Sequence, residues 1–360
     1  MLAYRERRAD ASPTESPGPQ RRMLIAGPLI AAVSMGAALF AVHEAGISLR
    51  DPDHVAGRRL LIVFGLVGLL VLLDIAVRAA KRSPGRLPTR AAMAEIRRER
   101  WTLTRGVAVA TALISFYISY LAYRNLKSVV PLIRPGELFD RQLADFDRAM
   151  FGGNDPAQLL HALLGTGAAT YAFSAAYMMF FIFIPGTLAA ALVFSPNLQA
   201  GLFYASAQSI NWLLGAASYF LLPSLGPVYI EPSAFASLPS SGVMQLQELL
   251  MDQRIEFIRD PAIGTAQSIA AFASLHVSIF FTGALAAHVL GLGRRLQIAA
   301  WTLLALTTTA TIYLGWHYVV DDIGGLVLGA MAIVLARALT GFRFGTRGGR
   351  LSTAKPATAA

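Results

Sequence analysis

The chain has 360 residues, 55% of them hydrophobic and only 14% charged, whereas soluble domains carry roughly a quarter charged residues. It contains no cysteine, which excludes disulfides, thiolate nucleophiles and cysteine-bound metal. A net charge of +10 is compatible with nucleic-acid binding, but the basic residues flank apolar runs and form no stripe interleaved with exposed aromatics. Membrane orientation and anionic headgroups account for them, and no nucleic-acid partner is expected.

Residues 1–22 are polar and contain proline, so they are expected to form a disordered cytoplasmic tail; the first apolar run is too long for a secretory signal. A bilayer-spanning helix needs about 20 apolar residues. Eight segments meet this requirement: 23–43, 59–79, 105–123, 167–194, 201–222, 266–290, 297–315 and 317–340. The chain is thus read as an all-α, polytopic membrane helical bundle of about eight transmembrane helices. Asp74 and Arg78, four apart in the second span, read as a structural pair. The charged stretch 80–104 is expected to form a surface helix, with Arg97, Arg98 and Arg100 near its end. Segment 124–166 mixes charge with apolar residues, Pro185-Gly186 predicts a kink in the fourth span, and segment 223–265 carries an amphipathic stretch near Met244–Ile258. Residues 341–360 are expected to be a second disordered tail. The implied organisation is a tail over 1–22, two extra spans and a basic linker over 23–104, a six-helix core over 105–340, and a tail over 341–360.

Eight spans place both termini on one side. That side carries most of the Lys and Arg residues, and the other carries most of the acidic ones. The positive-inside rule then puts the termini in the cytoplasm and turns 44–58, 124–166 and 223–265 outward. Composition suits a bacterial inner membrane.

Ionisable residues at the edges of apolar spans are costly and mark function. His276 opens the sixth span, His317 and Asp321 open the eighth, and Lys127 and Arg134 lie just past the end of the third. All reach one face in this topology. His317 and Asp321 are four apart, so on a helix they would share a face, where a carboxylate fixes the imidazole tautomer. That suits a histidine attacking phosphorus. His276 is placed to act as general acid, Lys127 and Arg134 supply positive charge for phosphate oxygens, and Ser274 adds a donor at a helix N-terminus. Taken singly these are ordinary interfacial residues; their conjunction on one face carries the reading. Asp322 is expected only to cap or face water.

These residues resemble the type-2 phosphatidic acid phosphatase superfamily, whose motifs are Lys-x6-Arg-Pro, Pro-Ser-Gly-His and Ser-Arg-x5-His-x3-Asp. Lys127 through Pro135 fits the first in full, Ala273-Ser274-Leu275-His276 fits the second loosely, and His317 with Asp321 fits the end of the third, with Ala310 and Thr311 where Ser-Arg would stand. The Ser-Leu-His form, the segment Pro223–Pro227 and the stretch Phe139–Pro156 look more like the inositol phosphorylceramide synthase (inositolphosphotransferase) branch. The resemblance implies a phosphohistidine at His317 supported by Asp321, with His276 as acid/base and phosphate held by Lys127 and Ser274; Arg134 is less firmly implied. It also implies no metal or other cofactor. The expected activity is that of a lipid phosphatase or phosphotransferase. Its partners would be a lipid phosphate or phosphodiester and the membrane, with water or a polyol such as inositol as acceptor. Glu231, Gln245, Gln247 and Asp252 are candidate contacts for such a polyol. Two rivals stand beside this reading: a proton-coupled transporter using a His/Asp relay, and a metal site built from His276, His317, Asp321 and Asp322.

Overall fold

The architecture follows from a computed structural model that describes residues 21–51, 57, 60–262 and 266–344. No strand occurs among these residues. The helices are α1 (Arg21–Glu44), α2 (Leu60–Arg82), α3 (Arg90–Arg100), α4 (Leu103–Ile133), α5 (Asp140–Met150), α6 (Pro156–Leu164), α7 (Ala168–Met178) and α8 (Phe180–Ala189). A π-helical turn at Ala190–Phe194 follows, then α9 (Leu198–Leu221), α10 (Pro227–Ile230), α11 (Gly242–Arg259), α12 (Leu275–Val289), α13 (Arg294–Tyr313) and α14 (Val319–Thr340). Most of the two expected tails, residues 1–20 and 345–360, lies outside the described residues. Residues 21 and 22 belong to α1, and Phe342 stacks on Phe203 at 4.9 Å.

Each of the eight apolar segments contains a helix. Six are long and apolar enough to cross a membrane: α1, α2, α4, the run Ala168–Phe194, α13 and α14. The fifth, α9, is long but diluted by polar residues, because it forms the centre of the bundle, packed by α1, α4, α12 and α14. Its amides are satisfied internally: Asn211 donates to Gln208 Oε1 (3.1 Å) and Thr282 Oγ1 (2.9 Å), and Ser278 donates to Asn211 Oδ1 (2.7 Å). In hydrocarbon such closure is required of every polar group.

Three boundaries differ from the sequence reading. α4 continues through Lys127 to Ile133, so Lys127 is held by a helix instead of following one. The sixth segment is helical only from Leu275; at ~1.5 Å per residue its helix is short for a span, and residues 266–274 approach it in non-helical conformation. The fourth is interrupted at Met179 and at the π-helical turn, while Pro185 lies inside α8. Proline removes one helical hydrogen bond, yet α8 continues through Pro185 to Ala189.

α1 packs along α4 and α9, whereas α2 stands at the periphery, touching α3 and the π-helical turn. The end of α2, the start of α4 and the π-helical turn meet at one end of the bundle. The end of α4 and the starts of α12 and α14 meet at the other, roofed by a cluster that includes Tyr177, Phe235, Val243, Tyr313 and Trp316.

Candidate active site

The turn between α13 and α14 positions His317. Gly315 adopts φ +72°, and the N–H groups of Trp316 and His317 both donate to the Thr311 carbonyl (2.9 and 3.2 Å). His317 therefore precedes α14 and does not lie on its face, as the four-residue spacing had suggested. Asp321 still reaches it, for a different reason. Its Oδ2 turns back to accept from the Tyr318 N–H (2.9 Å), capping the helix, and this brings the same oxygen 3.4 Å from His317 Nδ1. Asp321 is 0% exposed, and its Oδ1 has no partner among the described residues.

Ser274 ties the second element to this one. Its N–H donates to the Asp321 carbonyl (2.9 Å) and its hydroxyl caps α12 by accepting from the Val277 N–H. His276 follows two residues later, its ring centroid 6.0 Å from that of His317. Two rings from the interrupted α7–α8 segment hold the His276 imidazole: Tyr177 stacks on it at 4.4 Å and 28°, and Phe180 lies at 4.2 Å. Trp316, next to His317, stacks on Tyr177 at 5.1 Å and 2°. His276 is thus braced by an aromatic column whose far end, Trp316, is the chain neighbour of His317.

Lys127 faces the pair from α4. Its ammonium donates to Tyr123 Oη (3.3 Å), lies 5.1 Å from the Tyr219 ring and is within electrostatic reach of His276 and His317. The Gln267 side-chain amide fixes the backbone there by donating to the Lys127 carbonyl (2.6 Å). His317, Asp321, His276, Ser274 and Lys127 therefore converge. Arg134 is engaged at the end of α4 by Glu137 and the Phe220 carbonyl, and it lines a cavity of about 250 Å³ with Pro223, Arg254 and Ile269. Among the described residues no group of three or more His, Cys, Asp or Glu could hold a metal ion.

Sequence reasoning gave no role to four features that build this site. Asp140 and Asp147, on one face of α5, act as clamps. Asp140 accepts from the N–H groups of Leu225 (3.0 Å) and Gly226 (2.8 Å) and from Tyr318 Oη (3.3 Å). Asp147 accepts from the first N–H groups of α14, Val319 (2.7 Å) and Val320 (3.1 Å). Burial pushes both carboxyls above the usual carboxylate range, opposed by these backbone donors. Gly226 sits at φ +107°, and a Cβ there would meet the Trp316 carbonyl oxygen at 2.4 Å. The segment Pro223–Pro227 is thus laid directly on the His317 turn. Asp322 neither faces water nor merely caps: it is 3% exposed, and its Oδ2 accepts from Thr311 Oγ1 at 2.9 Å. Of the candidate polyol contacts, Gln247 is spent on the Leu314 carbonyl (2.8 Å) and Glu231 on Arg148 (2.7 Å).

The molecule is thus a multi-pass bundle of helices long and apolar enough to cross a membrane, with two histidines, a buried aspartate and a lysine gathered at one end. The PAP2 superfamily model matches residues 141–335, more than half of the chain, and the chain belongs to that superfamily. Membership supports a phosphatase-type activity and covers His276, His317 and Asp321, while Lys127 and Arg134 lie before the matched region. No curated protein and no solved structure matches the chain.

Proposed function

We propose that the chain is a metal-independent lipid phosphatase or phosphotransferase working through a phosphohistidine at His317. His317 Nε2 attacks phosphorus and the ester P–O bond breaks, with His276 giving its proton to the departing oxygen. Water or an alcohol, deprotonated by His276, then attacks phosphorus, and the N–P bond breaks. Asp321, its Oδ2 3.4 Å from Nδ1, orients the ring electrostatically and stabilises the cationic ring of the adduct, which leaves Nε2 as the attacking atom. Lys127 draws charge off the non-bridging oxygens, with Ser274 and Arg134 as further phosphate contacts.

The observation that carries this reading is the Asp321–His317 contact at 3.4 Å, with the His276 ring 6.0 Å from that of His317. Two features support the inositolphosphotransferase-like branch. Thr311, which is neutral, takes the place of the third-motif arginine and bonds to Asp322. Asp140 bonds the two segments that carry the resemblance to that branch, Phe139–Pro156 and Pro223–Pro227. The arginines at the opposite end of the bundle, including Arg78, Arg82, Arg100 and Arg105, support a cytoplasmic assignment for that end, with the histidines facing outward from a plasma (bacterial inner) membrane. Residues 105–340 then form the catalytic unit, with 23–104 packed beside it.

The test is phosphate release from a panel of lipid phosphates in detergent with EDTA, for wild type and His317→Ala, with and without myo-inositol. The proposal expects release that survives EDTA and vanishes in the variant, and transfer in place of release if inositol is the acceptor. Full activity in His317→Ala would refute it.

A further inference from the structure

The end of the bundle opposite the histidines carries a second charged site. The side chains of Arg78, Arg82, Glu99, Arg100 and Arg105 line an open cavity of about 320 Å³. They come from the last turns of α2, the end of α3 and the first turn of α4. Buried Asp74 holds two of them, Arg78 at 2.8 Å and Arg100 at 2.7 Å, and also accepts from Trp101 Nε1 (3.1 Å). Arg82 pairs with Glu99 (2.8 Å) and, more distantly, Glu95 (3.4 Å).

Arg105 is different. It is 8% exposed, its guanidinium lies 5.2 Å over the Trp101 ring, and the carboxylate that acts on it, Asp74, is already paired with Arg78 and Arg100. One amino group donates to the carbonyls of Leu192 (3.2 Å) and Ser195 (3.0 Å), and its Nε has no partner. Among the described residues the cluster sets four guanidinium groups against three carboxylates, Asp74, Glu95 and Glu99. A buried cation that shares one carboxylate with two other guanidinium groups is costly unless a further anion completes the site. The carbonyls freed by the π-helical turn orient Arg100 and Arg105 but do not neutralise them.

The location indicates the anion. α2 stands off the bundle, with Leu61, Ile62, Leu66, Leu69, Leu72 and Leu73 exposed along it. In a bilayer that face meets acyl chains, and the last turn of α2, where Arg82 sits, lies at headgroup depth. We infer that this cavity binds the phosphate group of an anionic phospholipid in the leaflet facing this end, with Arg105 supplying the unmatched charge and Arg82 and Arg100 the rim donors. Phosphate monoanions share the donor geometry, but the apolar face beside the cavity favours the lipid as source.

The experiment uses the full chain in detergent micelles. Retention of dioleoyl phosphatidylglycerol is followed by native mass spectrometry, and thermal melting by intrinsic fluorescence, each against dioleoyl phosphatidylcholine and against inorganic phosphate. Phosphatidylglycerol is expected to be retained one per chain and to raise the melting temperature, with little effect from the other two. Arg105→Gln is expected to weaken retention about tenfold, the scale of one charge-assisted hydrogen bond. Because Arg105→Gln removes a buried side chain, Arg82→Gln, on a half-exposed residue, serves as the second variant and should weaken retention severalfold without changing lipid-free melting. Equal retention of the two lipids, or unchanged retention in Arg82→Gln together with any folded Arg105→Gln, would overturn the inference. An equal response to inorganic phosphate would overturn the lipid as source.

Discussion

Tyr177 stacks on His276 with ring centroids 4.4 Å apart, although the two residues come from different parts of the chain and the first lies in an interrupted helix. The stack fixes the imidazole plane, and the Phe180 ring packs against the same imidazole at 4.2 Å. Tyr177→Ala should lower kcat on the order of tenfold to a hundredfold, the cost of a small misplacement of a proton donor. Tyr177→Phe keeps the ring and should stay close to wild type. Steady-state kinetics on the lipid phosphate turned over fastest would separate the two.

Asp321→Asn keeps the shape of the carboxylate and removes its charge. With Oδ2 placed between the Tyr318 N–H and His317 Nδ1, the amide can cap α14 or orient the imidazole but not stabilise its cation. Turnover is expected to fall ~10²- to 10⁴-fold with KM little changed. A change confined to KM would contradict the role assigned to Asp321.

Lys127→Met should reduce kcat/KM ~10²-fold or more, since one positioned cation on a transferring phosphoryl group is worth that much. Gln267 binds the backbone of Lys127 and not its side chain, so the melting temperature should hold. Arg134→Met is expected to have the smaller effect on rate, because Glu137 and the Phe220 carbonyl already engage it. The ratio of the two losses is the readout.

The clamp on α14 can be tested through stability. Asp147→Ala would leave the Val319 and Val320 N–H groups without their partner and should cost about 2 kcal/mol or more. Asp145→Ala, on an exposed neighbour 3.5 Å from Arg148, should change stability by less than about 0.5 kcal/mol. Gly226→Ala adds a Cβ against the Trp316 carbonyl and forces a strained φ, at ~1–3 kcal/mol, and should displace His317 with loss of activity. Melting curves in one detergent compare the three.

Much of this arrangement is legible in sequence because hydrophobic runs and charged span ends are local signals. A helix forms in each of the eight apolar segments, the surface helix expected within 80–104 forms over Arg90–Arg100, the amphipathic stretch lies in α11, and the Asp74–Arg78 pair forms. His276, His317, Asp321, Ser274 and Lys127 meet at one end, as their span positions indicated. What escaped the sequence depends on long-range packing. Asp140 and Asp147 belong to the stretch Phe139–Pro156, whose resemblance assigns them no role, yet they bond backbone groups about 85 and 172 residues away, a relation no periodicity reveals. Tyr177 and Phe180 read as ordinary apolar-span residues. The His317–Asp321 spacing gave the right pair for the wrong reason, since capping and not a shared helix face brings them together.

In the proposed reaction His317 carries the phosphoryl group. The most direct test of that step is rapid acid-free quenching of turnover with a phosphorus-radiolabelled lipid phosphate, in EDTA, followed by proteolysis and mapping of the label. The account predicts an acid-labile, alkali-stable adduct on the peptide containing His317, absent in His317→Ala and accumulating in His276→Ala with a substrate whose leaving group needs no proton. Full turnover with no label on that peptide, or with label on another residue, would contradict it.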